Sequence, residues 1–390
     1  MTFPSGRHFL QIPGPSNVPG RILQAIGQPT IDHRGPEFQK LSEEVLVGLR
    51  RIFKTSGPVL VFPTSGTGAW EASLLNTLSP GEKVLMFETG HFATLWYNMA
   101  KKFGLEIDFV PTNWRHGADP QIVEDKLKED VEKRIKAVCI VHNETSTGVT
   151  SRIAEIRNAI DQADHSALFM VDTISSLGSM DYRHDEWKVD VTVGCSQKGL
   201  MLPPGLGMNA VSDKALDASK TNNFKRHFWD WSDMLKANEQ YLYPSTPCTN
   251  LLYGLKESIK MLEEEGLENV FARHDRFGEA TRRAVRAWNL EILCENPQEY
   301  SSVLTAVMMP EGKGADQLRK VILENFNMSL GNGLGKVADR VFRIGHLGDL
   351  NDLSLIGTLA GVEMGLQCGG IEHAKGGVEA AMQFLCEQRP

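Results

Sequence analysis

Between residues 59 and 211, short apolar runs alternate with longer amphipathic stretches, and this alternation narrows the fold more than any other feature of the chain. The strand-like runs fall at 59–62, 83–87, 107–110, 137–141, 168–171, 189–193 and 208–211. Between them, apolar residues recur at helical spacing near 68–78, 92–103, 120–133 and 151–163. Strand and helix taking turns with short connections predict a doubly wound, parallel sheet in an α/β fold. Ligands of such a sheet sit beyond the carboxyl ends of its strands. The loops that follow each run are therefore where chemistry is expected.

Outside this region the pattern changes. A helix is expected over 36–53, with Leu41, Val45, Leu46, Leu49 and Ile52 on one face. The first 30 residues carry Pro4, Pro13, Pro15, Pro19 and Pro29 and are expected to be irregular, because proline blocks long helices. After 250 come two long amphipathic helices, over 251–264 and through about Trp288. Strands near 302–308 and 340–344 then flank helices near 314–325 and 351–366. A length of 390 residues, 41% of them hydrophobic, suffices for two domains. The second reads as a smaller α+β domain with a boundary near 255.

Charge and cysteines exclude several function classes. A formal net charge of -8 without a long basic stretch argues against nucleic acid. Cys139, Cys195, Cys248, Cys294, Cys368 and Cys386 lack CxxC spacing and read as reduced thiols rather than as a disulfide framework or zinc site. No apolar segment reaches the roughly 18 residues of a membrane span. The opening Met1-Thr-Phe-Pro-Ser-Gly-Arg-His8 does not read as a signal peptide, and the closing Glu387-Gln-Arg-Pro390 is not a peroxisomal address. A soluble cytoplasmic enzyme is expected.

The candidate chemistry lies in the loops. Lys198 follows the run 189–194 and sits in a Gly/Pro-rich loop, while Asp172 closes the run 167–172. Parallel strands would bring that carboxylate and that amine to one sheet edge. Pyridoxal phosphate needs this pair, an acid for its ring nitrogen and a lysine for its aldehyde; the plainer reading of Lys198 is a loop residue. Phe62-Pro-Thr-Ser-Gly-Thr-Gly-Ala-Trp-Glu71 passes from strand to Gly/Ser/Thr loop to helix, either an anion cradle with Ser65 and Thr67 hydroxyls or a capped turn. It lacks the Gly-Lys-Ser/Thr ending of a P-loop and the GxGxxG of a dinucleotide site, so a monophosphate suits it better. Phe92 follows a strand end and reads as a stacking partner for a flat ring or as core. In Val141-His-Asn-Glu-Thr-Ser-Thr-Gly148, Thr145 can bond a ring oxygen or position a substrate; His142 and Glu144 lack further ligands at metal spacing. Arg343, alone in an apolar strand, needs an anion, either a substrate carboxylate or an internal ion pair.

Together these stretches resemble the class V, fold-type I, pyridoxal phosphate-dependent aminotransferases of the serine–glyoxylate and alanine–glyoxylate family, over almost the whole chain. The matching segments are Pro13-Gly-Pro-Ser-Asn17, 63–71, 142–149, Val171-Asp172, 194–198 with 204–207, 243–247, 266–270 and 342–348. The resemblance implies a large, mainly parallel, cofactor-binding domain over 17–255, with an N-terminal arm (1–16) joined to a small C-terminal α+β domain (256–390). It implies that Lys198 forms the Schiff base with pyridoxal 5'-phosphate, Asp172 pairs the ring nitrogen and Phe92 stacks on the ring. Ser65, Gly66, Thr67 and Gln197 would hold the phosphate region, with Thr145 near the ring oxygen. Arg343 would bind the substrate carboxylate in a pocket lined by Gly14 and Thr145. Tyr243 and Thr246 match positions that reach the phosphate of a neighbouring subunit, which implies a homodimer with shared active sites. Asp32-His-Arg-Gly35 matches a segment that approaches the partner's site.

The implied reaction moves an amino group from a small amino acid, serine first, to glyoxylate, giving glycine and a keto acid such as hydroxypyruvate. Aspartate– or alanine–glyoxylate and alanine/serine–pyruvate transfer are alternatives. An aspartate donor needs a second cation, for which His33, Arg34 or His346 are candidates. A lyase or cysteine desulfurase is more distant: desulfurases carry histidine before the lysine, where this chain has Gln197. Cys294, their nearest nucleophile here, follows an apolar run that looks buried.

Overall fold

Seven of the apolar runs become strands of one sheet in the computed structural model, which describes residues 6–388. The leading Met1–Ser5, with Pro4, and the final Arg389 and Pro390 lie outside the described residues. Numbered along the chain, the strands are β1 (Phe9–Gln11), β2 (Val59–Phe62), β3 (Lys83–Phe87), β4 (Glu106–Val110), β5 (Ile135–Val141), β6 (Asn143–Glu144) and β7 (Val149–Thr150). There follow β8 (Leu168–Asp172), β9 (Val191–Cys195), β10 (Gly207–Val211), β11 (Leu304–Met308), β12 (Met328–Asn332) and β13 (Val341–Gly345).

The large sheet has the order β2-β10-β9-β8-β5-β3-β4. Its middle strands β5, β8 and β9 are buried along almost their whole length because helices cover both faces. Alternate residues point to opposite faces. Met86, Cys139, Met170 and Val193 pack under the helices Gly66–Thr77 and His91–Lys102, whereas Leu85, Val138, Phe169 and Val171 meet Pro120–Glu129 and Ile153–Gln162. The sheet is not wholly parallel, because β10 pairs antiparallel with both β9 and β2. The connection from 196 to 206 contains no helix to carry the chain back across the sheet, so the strand returns beside its predecessor.

A second sheet has the order β1-β12-β13-β11. Helices Leu267–Ala287, Ala315–Phe326, Asp352–Cys368 and Gly377–Glu387 bury its apolar side. The opening 30 residues are more ordered than expected. Residues Phe9–Gln11 pair in parallel with Met328–Leu330, and Gly20–Ile26 forms a helix beginning directly after Pro19. Proline blocks a long helix but allows a short strand before it and a helix that starts beyond it.

Candidate active site

β5, β8 and β9 end side by side, with Val141 paired to Asp172 and Asp172 to Val193. The loops leaving these tips enclose a cavity of about 230 Å3 with the segment Gly14–Pro15. Gly14, Ser65, Gly66, Thr67, Phe92, Thr145, Asp172, Gln197 and Lys198 all line it. Residues drawn from six separate stretches of sequence thus converge on one space.

Lys198 is buried, and its Nζ donates to Pro13 O at 2.7 Å. Burial lowers its amine to about 8, which leaves a neutral fraction at moderate pH. Gly14 permits the approach. A Cβ at that position would lie 2.4 Å from Lys198 Cδ and 2.6 Å from Nζ, and its φ of +108° is one that other residues rarely adopt. Ser16 ties down the lysine loop: its amide donates to Gln197 O at 3.0 Å and its hydroxyl to Lys198 O at 2.9 Å.

Asp172 is held from two sides. Its Oδ1 accepts from Ile174 N at 2.6 Å and its Oδ2 from Trp70 Nε1 at 3.0 Å. Burial pushes the carboxyl up to about 7, with the neighbouring Glu144 adding to the rise and the two donors opposing it. Beside it, the helix Gly66–Thr77 opens at Ser65, whose side chain makes no capping bond. Amides in a first helical turn have no acceptor within the helix, so this end suits an anion. Gly66 is needed for packing, since a Cβ there would lie 2.2 Å from Ile174 Cδ1. Gln197 Oε1 is buried without a partner.

Phe92 is the second residue of the helix His91–Lys102. Glu144 sets its position. One carboxylate oxygen accepts from Ser146 N at 3.0 Å, Ser146 Oγ at 2.6 Å and Phe92 N at 3.3 Å, and the other from Ala93 N at 3.0 Å. The glutamate thereby caps a helix from a distant loop and carries buried negative charge beside the cavity. Arg343, in β13, donates from Nη1 to Thr145 O at 2.7 Å and from Nε to Asn332 O at 2.8 Å. It stands behind Thr145 and stitches the second sheet to the cavity wall. Burial lowers its guanidinium to about 10, so it stays charged at neutral pH. Its bonds go to carbonyl oxygens rather than to the internal carboxylate that an ion pair would require.

Other expected residues lie elsewhere within this chain. Tyr243 packs edge-on against Phe38 with ring centroids 5.9 Å apart, and Thr246 is exposed; neither lines the cavity. His33 is half-buried and Arg34 exposed, also outside it. His346, just past the end of β13, is buried and bonded to Ser302 O and Thr305 Oγ1. Cys294 is buried, and burial raises its thiol to about 12.

Sequence reasoning missed Trp70, the Pro13 carbonyl and the capping role of Glu144. Trp70 was within reach: it lies four residues after Gly66, on the same helix face. The other two depend on tertiary approach and leave no local signature.

The residues fit pyridoxal phosphate: an amine, a carboxylate, an aromatic face and a helix N-terminus surround one cavity. The partnerless Gln197 Oε1, and the unsubstituted Gly14 that lets Lys198 Nζ reach the cavity, are the observations that carry this fit. A family model described as Aminotransferase class-V matches residues 9–340. The chain is 46% identical to a serine–glyoxylate aminotransferase of Methylorubrum extorquens, over 98% of this chain and 97% of that protein. It is 44% identical to an L-aspartate–glyoxylate aminotransferase of Paracoccus denitrificans, over 95% and 94%. Among solved structures, a pyridoxamine–pyruvate aminotransferase from Mesorhizobium loti superimposes with a TM-score of 0.93, at 26% identity and 100% coverage of both chains.

Proposed function

Because this chain belongs to the class-V aminotransferases, we propose that it moves the amino group of a small amino acid, serine first, to glyoxylate, giving glycine and a keto acid such as hydroxypyruvate. Its fold is that of the fold-type I enzymes, and its cofactor is pyridoxal phosphate. The observation that carries the proposal is the meeting of Lys198 and Asp172 in one cavity with Arg343 behind its wall.

When bound, pyridoxal phosphate supplies an aldehyde that captures amines and a ring that draws electrons from the substrate α-carbon. The chain supplies the rest. Lys198, its amine partly neutral, would take the proton from the substrate α-carbon and deliver it to the carbon that was the cofactor's aldehyde. Asp172 would hold a proton at the ring nitrogen. Ser65, Gly66, Thr67 and Gln197 would hold the phosphate, Phe92 would cover the ring and Thr145 would bond its oxygen. Arg343 orients the carboxylate of each acid, and donor and acceptor use the cavity in turn. We assign Tyr243 and Thr246 to the phosphate of a neighbouring subunit in a cytoplasmic homodimer, and divide each chain into a large domain over 17–255 and a small one with its N-terminal arm.

Serine and alanine are favoured over aspartate because, among the described residues, Lys198 lines the cavity and Arg343 stands behind its wall, with no further side-chain cation in the lining for a second carboxylate. His346, a candidate for the second cation, is engaged just past the end of β13. Desulfurase chemistry is disfavoured by the buried, un-ionised Cys294 thiol. The test adds serine, alanine or aspartate singly to the loaded protein and follows loss of the lysine-bound cofactor absorbance. Serine is expected to bleach it, and Lys198→Ala to lack it from the outset. Silence towards serine and alanine with a response to aspartate would overturn the donor assignment.

A further inference from the structure

Asp172 must stay ionised if it is to hold a proton on a neighbouring ring nitrogen, yet it is 3% exposed at the end of a central strand. A buried carboxylate keeps its charge through donors aimed at it. One donor here is the amide of Ile174, which the main chain fixes. The side-chain donor is the indole of Trp70, with Nε1 3.0 Å from Oδ2.

That indole is held firmly. Trp70 is 2% exposed and stacks on Trp96, with ring centroids 5.9 Å apart and planes 10° from parallel. It also lines the cavity. Trp70 lies one turn beyond Gly66 on the helix Gly66–Thr77, a rise of about 6 Å. Trp96 belongs to the helix whose start carries Phe92. The two helices that present the phosphate cradle and the aromatic face therefore also clamp the donor to Asp172.

We infer that Trp70 is a positioning residue that keeps the proton on the cofactor's ring nitrogen rather than on Asp172, by donating its indole N–H to the carboxylate. The inference rests on the aminotransferase reading above. The charged groups around Asp172 are Glu144 from β6, whose negative charge favours the protonated carboxyl, and Lys198 from the loop after β9, whose positive charge opposes it. Ile174 N and Trp70 Nε1 act with Lys198, so removing the indole tips the balance toward a neutral Asp172. Phenylalanine at position 70 keeps an aromatic ring and loses only the donor and part of its bulk.

The experiment loads unliganded protein with pyridoxal 5'-phosphate carrying nitrogen-15 in its ring and records the ring-nitrogen chemical shift at pH 7. The wild type is expected to show the protonated position. Trp70→Phe should move the signal toward the unprotonated position while its thermal melting still reports a folded protein. Trp96→Phe, which loosens the same stack but keeps the donor, should stay near the wild type. If Trp70→Phe does not fold, Trp70→Leu removes the same donor with less bulk and carries the same expectation. A Trp70 variant with the wild-type shift, or a Trp96→Phe shift equal to that of the Trp70 variant, overturns the inference. A wild type that binds no cofactor overturns the reading beneath it.

Discussion

At the scale of single residues, Lys198 answers two opposing demands. A lysine is soluble because it is charged, but it captures an aldehyde only when neutral. Burial resolves the conflict by lowering the amine to about 8, and the Pro13 carbonyl then holds the nitrogen in place. The rate at which unloaded protein takes up pyridoxal 5'-phosphate should accordingly rise with pH through a midpoint near 8, measured by rapid mixing and absorbance. A midpoint near the ordinary lysine value of about 10.4 would refute the burial argument. The same shift has a stability consequence. The unfolded lysine binds a proton up to about 10.4, whereas the folded one releases it near 8. Unloaded protein therefore gains stability as pH rises across that window.

At the scale of elements, the start of the helix His91–Lys102 depends on a carboxylate 51 and 52 positions further along the chain. Gly90 leaves room for it, since a Cβ there would lie 2.3 Å from Glu144 Cγ. Glu144→Gln keeps the size and removes the charge. We expect a loss of about 1 kcal/mol in urea denaturation, and a weaker circular-dichroism signal from bound cofactor as Phe92 loosens. Unchanged values for both would show that the cap is dispensable. The strands themselves were legible: β2 and β3 fall where their apolar runs are, because runs buried on both faces need no partner information to be recognised. β12, Met-Ser-Leu-Gly-Asn, was not, since it has neither a β-branched run nor clear alternation and owes its place to β1 and β13. The strand tips made Asp172 and Lys198 readable for the same reason. Trp70 shares a helix face with Gly66, yet an indole in an apolar helix looks like core until its N–H is seen to have a target.

At the scale of the whole molecule, the interior holds several neutral histidines. Burial lowers His142 and His184 to about 4 and His274 and His346 to about 3. The unfolded chain protonates these rings near 6.5 while the folded one resists, so the stability they contribute above that pH is lost as it falls toward 4. Melting temperature should drop across this interval. His274→Gln, which can still donate to Val270 O and accept from Gly348 N, should flatten the slope; an unaltered slope would remove His274 from the account. The arm that carries Pro13 and Gly14 adds a condition of a different kind, one of timing. His8 bonds Asn327 across 319 positions of sequence, and β1 has no partner until β12 exists. At about 5–20 residues per second of synthesis, the carbonyl that steadies Lys198 waits roughly 15 to 60 s for its anchor. A nascent chain thus completes the strands of its large sheet well before the contact between Pro13 and Lys198 can be anchored.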